Sequence, residues 1–160
     1  RPLLDLLLRG ADKLKRPSIS FDLRSIPEMP STQPDESGRR KIHGLRFKLS
    51  RCRTKVHIDD GGKYGDSEFL GYIRGVDEEE GNQRLQLYWA GHQLAQVQIR
   101  RLVDLIKVKG ARHVVATYGM RAGECCFCGK TLENPQSVRA GFGETCARNY
   151  GLMDDYRAAR

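Results

Sequence analysis

The 160-residue sequence predicts an α+β fold, with a small antiparallel sheet and one or two helices ahead of a cysteine-rich C-terminal module. Three observations carry that expectation. Segments in the first two thirds of the chain alternate apolar and polar residues with period two, as half-buried strands do. The stretch "HQLAQVQIRRLVDLIKVKG" instead repeats its apolar residues with the period of a helix. Four of the five cysteines then fall within the 22 residues from Cys125 to Cys146.

Taken in order, residues 2–16 read as a short amphipathic helix on Leu3, Leu4, Leu7, Leu8 and Leu14, weakened by Gly10 and ended by Pro17. "SISFDL" alternates like a strand, with Ile19, Phe21 and Leu23 on one side. Residues 27–40 hold three of the six prolines and no periodicity, which predicts a linker or long loop. Leu45, Phe47 and Leu49 alternate with Arg46 and Lys48, and the phase flips after Ser50. Cys52, Val56 and Ile58 then share one face, with Arg51, Arg53, Lys55 and His57 on the other. That pattern means two strands, or one strand bulged near Ser50. "DDGGKYGD" is turn chemistry. "EFLGYIRGV" and "RLQLYWA" read as two further strands around the acidic turn "DEEEGN". The long helix places Ile99, Leu102, Val103 and Ile106 on one stripe and stops at Gly110, and a short helix "ARHVVATYG" follows. The expected organisation is an N-terminal helix and strand (1–26), a linker (27–40), a basic α+β domain (41–118) and the cysteine module (119–160).

The net charge of +8 is uneven, with +7 on residues 39–63 and only +1 on residues 119–160. From Arg39 to Lys55 there are eight Lys and Arg and no acid. Arg46, Lys48, Arg51, Arg53 and Lys55 on a strand surface are therefore candidate contacts to the phosphates of DNA or RNA. Tyr64, Tyr72 and Tyr88 would add stacking platforms if they share that face. The competing readings are an acidic host or phage protein as partner and a basic surface that is simply solvated. No run approaches the ~18 apolar residues of a membrane span. The N-terminus also lacks a signal-peptide cleavage pattern, so no membrane partner is expected, and no small-molecule substrate either. The chain opens on Arg1 instead of Met, which implies a processed, trimmed or excised chain.

Cys125 and Cys128 form Cys-x-x-Cys followed by Gly129. This is the shape of a zinc knuckle, in which a tight turn brings two thiolates onto one ion and glycine accommodates the backbone. Cys146 follows "GFGE" at the first turn of a predicted helix, where amides and the helix dipole favour a thiolate. Knuckle, hairpin, glycine turn and helix-borne cysteine describe a treble-clef or zinc-ribbon-like module holding Zn2+ at Cys125, Cys128 and Cys146. Structural zinc takes four protein ligands. The fourth stays open among His113, Cys52, Glu144 and Ser137, while Cys126 is set aside because neighbours in a knuckle point apart. A thioredoxin-type pair needs a strand before the motif and a helix starting on it, whereas here Gly129 and Pro135 bracket a loop. Disulfides and inert buried thiols are weaker readings of an odd, clustered set, which instead suits a cytoplasmic setting.

Catalytic readings are thinner. His43, His57, His92 and His113 show no zincin spacing. "GFGETC" lacks the Lys-Ser/Thr of a phosphate loop. Asp59, Asp60 and Glu68 could serve a metal-dependent nuclease, but Asp59 and Asp60 precede Gly-Gly and read first as a turn. The expectation is a non-enzymatic protein.

"CCFCGKTLENPQSVRAGFGETCARNYGL" resembles the closing motif of a group of uncharacterised phage and prophage proteins, the DUF6011-like family. "HIDDGGKYGDSEFLGYI" is similar to an upstream segment of that group, and "RPSISFDL" and "YGMRAGECCFC" are similar to others. The resemblance spans about residues 16–152, with Glu144 in place of the group's proline and Asn134 in place of its aspartate. It implies zinc binding and a phage origin, and no activity. Together the readings describe a phage-encoded zinc-binding accessory protein of the host cytoplasm that binds nucleic acid through its basic strand surface. The alternative is a factor docking on a host or phage machine such as a polymerase or defence complex.

Overall fold

The computed structural model describes residues 2–29, 43–62, 65–74, 87–89 and 93–160. The period-two segments form β1 (Ser18–Asp22), β2 (Gly44–Leu49), β3 (Lys55–Asp59), β4 (Phe69–Arg74) and β5 (Leu87–Trp89). They make one antiparallel sheet whose spatial order follows the chain. Phe47 pairs with Ile19 on one side and Ile58 on the other, so the apolar residues of neighbouring strands meet on one face. Ile19, Phe21, Leu45, Phe47, Leu49, Val56, Ile58 and Leu70 are all buried there.

The phase flip at Ser50 is a hairpin turn between two strands. The Ser50 amide donates to the Lys55 carbonyl at 2.8 Å, and the Ser50 hydroxyl accepts from the Lys55 amide at 3.0 Å. Arg53 turns the corner with φ 57°, a backbone region unusual for a residue with a side chain. Its guanidinium donates to the Ala11 carbonyl at 3.1 Å. Cys52 lies in this turn and is exposed. It does not share the buried face of Val56 and Ile58, because strand alternation does not extend through the turn.

Three helices complete the main core: α1 (Pro2–Ala11), α2 (Gln93–Lys109) and α3 (Ala111–Ala122). They bury Leu3, Leu6 and Leu7, the stripe Ile99, Leu102, Val103 and Ile106, and Val114, Val115 and Tyr118. Helix α1 stops short of the expected residue 16, because the chain leaves it through a turn in which the Gly10 carbonyl accepts from both Lys13 and Leu14. Most of the linker expected over 27–40 lies outside the described residues.

Three short helices, α4 (Pro135–Ala140), α5 (Glu144–Asn149) and α6 (Met153–Ala158), build the C-terminal end. Pro135 opens a helix where a loop was expected. The Asn134 side chain caps it by accepting the Gln136 and Ser137 amides at 2.9 and 3.4 Å. A proline in the first turn leaves no amide unpaired. The crossing of α3 and α4 admits only glycine at its centre. A side chain on Gly119 would be driven into the Gly141 carbonyl, and one on Gly141 (φ 80°) into the carbonyl of Ala116.

The C-terminal elements also close the sheet's β1 edge. Alternate amides of β1 point away from β2, and each finds a partner. Ser18 donates to the Tyr150 hydroxyl at 3.1 Å, Ser20 to the Cys126 carbonyl at 2.8 Å, and Asp22 to the Tyr118 hydroxyl at 3.1 Å. The Tyr150 hydroxyl returns a bond to the Ser18 carbonyl at 3.0 Å. Its ring stacks on Phe127 with centroids 4.0 Å apart and leaves no room for a side chain at Gly10. Buried residues from Leu3 to Tyr156 thereby join one hydrophobic core.

Tyr150→Phe keeps the ring and removes both hydrogen bonds to Ser18. Leaving those strand-edge groups unpaired is expected to cost about 1–3 kcal/mol, read as a lower urea midpoint with an unchanged slope. An unaltered midpoint would mean that water replaces the hydroxyl without cost.

Candidate metal centre

Helix α3 ends on Gly123, which takes the left-handed conformation at φ 70° and starts a tight hairpin. The Leu132 amide bonds the Gly123 carbonyl at 2.8 Å, and the Cys125 amide bonds that of Lys130 at 2.9 Å. Inside the hairpin the Gly129 amide closes on the Cys125 carbonyl at 2.7 Å, with Gly129 itself at φ 70°. This turn sets Cys125 and Cys128 side by side. Helix α4 and the glycine turn at Gly141–Gly143 then deliver Cys146 in the first turn of α5. The ligand atoms of Cys125, Cys128 and Cys146 all lie within 4.8 Å of one another. A tetrahedral ion with metal–sulfur bonds of ~2.3 Å has edges of about 3.8 Å, so these residues fit a metal with little adjustment. Cys125 and Cys146 are buried, and Cys128 is exposed at the rim.

The electrostatics favour charge at this point. The Cys125 thiol is held down at about 5, chiefly because Cys146 hydrogen-bonds to it, with backbone amides of Gly143, Phe127 and Cys128 assisting against burial. Cys146 is pushed up by its contact with Cys125 and by its own burial. Cys126 is a different case: full burial, followed by repulsion from Cys125 and Cys128, raises it well above an ordinary thiol. It therefore stays neutral, and its carbonyl is the acceptor for Ser20.

Among the described residues no fourth His, Cys, Asp or Glu joins the three. Each candidate is engaged or placed elsewhere. Cys52 sits in the β2–β3 turn, its thiol lowered to about 7 by hydrogen bonds from Ser50 and Thr54. Glu144 pairs with Arg148 at 3.0 Å. The Ser137 hydroxyl meets the Tyr156 hydroxyl at 3.1 Å. His113 lines a cleft with Ser25, Glu28 and Lys109.

The basic residues occupy the outward side of β2 and β3 with unequal freedom. Asp59 is only 6% exposed. Its carboxylate takes Arg46 Nε at 3.0 Å and Lys48 Nζ at 2.9 Å and also accepts the Gly61 amide. Lys55 Nζ lies 4.9 Å from the centre of the Tyr72 ring. Arg53 holds the end of α1, and Arg51 is exposed in the turn. Arg39–Lys41 and Tyr64 lie outside the described residues, while Tyr88 pairs with Tyr72 in register. Sequence reading missed the role of Asp59 as the anion beneath the basic face. The acid-free run from Arg39 to Lys55, with Asp59 the first acid after it, was the available signal. Asp60 serves the turn, accepting the Gly62 and Glu68 amides at 3.0 and 3.1 Å. Among the described residues Asp59, Asp60 and Glu68 form no metal-holding cluster.

Residues 115–151 match a family of unknown function, DUF6011. The matched segment begins inside α3 and ends just past α5, so it contains the Gly119–Gly141 crossing, the three cysteines and Tyr150, and none of the sheet. No curated protein matches the chain, and no solved structure does. No helix among the described residues is long and apolar enough to cross a membrane.

Cys146→Ala is expected to abolish metal retention through gel filtration and to lower the thermal midpoint, since a structural metal supplies folding free energy directly. Cys52→Ala should leave both unchanged. Full metal content in the Cys146→Ala protein would remove that residue from the centre.

Proposed function

We propose that this chain is a phage-encoded, non-enzymatic accessory protein that holds Zn2+ as a structural ion and binds nucleic acid through its basic sheet face. Zinc suits the donor set: thiolates select a soft or borderline ion, and a mostly buried, all-sulfur site is typical of structural zinc. The ion would clamp the knuckle to α5. Because Cys126 stands between two of the ligands and accepts from Ser20, the clamp also fixes the module against β1.

One observation carries the nucleic-acid reading. Arg46, Lys48 and Lys55 lie on two adjacent strands with Arg51 in the turn between them, and the buried Asp59 answers only part of that charge. The buried anion beneath Arg46 and Lys48 fixes their direction while leaving net positive charge on the face. Ordered cations at strand spacing suit a phosphate backbone, whose binding is dominated by such contacts and by counterion release.

The test is a titration of DNA and RNA oligonucleotides at several salt concentrations with the wild type and an Arg51→Glu, Lys55→Glu double variant. Arg53 is left alone because it supports α1. The wild type is expected to bind with little sequence preference and with affinity rising with length. The variant should bind at least about tenfold more weakly, with a log–log salt slope shallower by about two. Equal affinity of the two proteins would remove the basic face from the reading.

A further inference from the structure

We infer that the nucleic acid taken by this face is single-stranded, with unpaired bases stacked on a platform formed by His57, Phe69 and Tyr72. The inference rests on the nucleic-acid reading above and names its substrate class. The strand register places His57 opposite Tyr72 and Asp59 opposite Phe69, with a bulge between Ile58 and Asp59. The His57 ring stands 6.0 Å from that of Phe69 and 6.4 Å from that of Tyr72. Phe69 is 46% exposed, although its neighbour Leu70 is in the core.

A single exposed apolar residue needs no explanation. This one belongs to a contiguous aromatic group with lysines beside it. Lys55 sits over Tyr72, and Lys48, His57, Tyr72 and Tyr88 fall in one cross-strand row. Aromatic faces beside ordered cations are the two components of a single-strand site, one for bases and one for phosphates. A duplex could use only the second, because its base faces are already stacked on each other.

The experiment measures binding of an oligothymidylate, an oligouridylate and a duplex of equal length to the full chain, wild type, Phe69→Ala and Phe69→Trp. Thermal melts would check that each variant is folded. Single strands are expected to bind more tightly than duplex. Phe69→Ala should lose about tenfold on single strands with an unchanged salt slope and unchanged duplex affinity, and Phe69→Trp should restore the loss. A preference for duplex, or equal single-strand affinity of Phe69→Ala, would overturn the inference and leave the nucleic-acid reading standing. Absence of binding to every oligonucleotide at low salt would overturn both, and binding of polyglutamate in that case would point to an acidic protein partner.

Discussion

The arrangement of this molecule turns on three backbone amides at one edge of its sheet. Ser18, Ser20 and Asp22 cannot bond to β2, and polar backbone groups sheltered from water must be paired. Their acceptors come from three places: a tyrosine beyond α5, a carbonyl inside the cysteine knuckle and a tyrosine on α3. Because hydrogen bonds are directional, satisfying all three fixes the height and tilt of the C-terminal elements against β1. The stacking of Phe127 on Tyr150 then carries that placement into the hairpin bearing Cys125 and Cys128. Sheet and candidate metal centre are therefore positioned by the same few bonds.

What could be read in the sequence was what local chemistry decides. Two residues between cysteines, a following glycine and a loop in place of a helix point to a knuckle, and Gly129 adopts the positive φ that such a turn needs. The α2 stripe was legible because seventeen residues give the helical period room to repeat. Helix α4 was not, since six residues show no period; its signal was the Asn134–Pro135 pair, a cap and a first-turn proline. Asp59 takes part in the expected turn through the Gly61 amide, and its second role was hidden for a different reason. Its partners Arg46 and Lys48 are neighbours only across a strand pair, which no local pattern records. The fourth-ligand candidates failed likewise on spatial grounds, because none of their short-range patterns specified proximity to the cysteines.

The basic face is better described as graded than as five equivalent charges. Arg46 and Lys48 are oriented by a shared, nearly buried carboxylate, Lys55 by an aromatic ring, and Arg53 by the end of a helix, while Arg51 stands exposed. Orientation reduces the rotamer entropy lost when a ligand arrives, whereas the exposed charge acts at longer range and is screened by salt. Attraction and positioning are thus divided among residues that look alike in the sequence.

The covered edge has a bearing on how the chain behaves among copies of itself. A strand with free outward amides is a template on which another strand can grow, and natural sheets shield such edges to stay monodisperse. Here the shield on β1 is a short knuckle and two tyrosines, Tyr118 and Tyr150. Were the knuckle to loosen, the Ser20 amide would lose its acceptor and the middle of that edge would lie open to another strand. The hairpin that carries the cysteines thereby covers a sheet edge as well as shaping the candidate site.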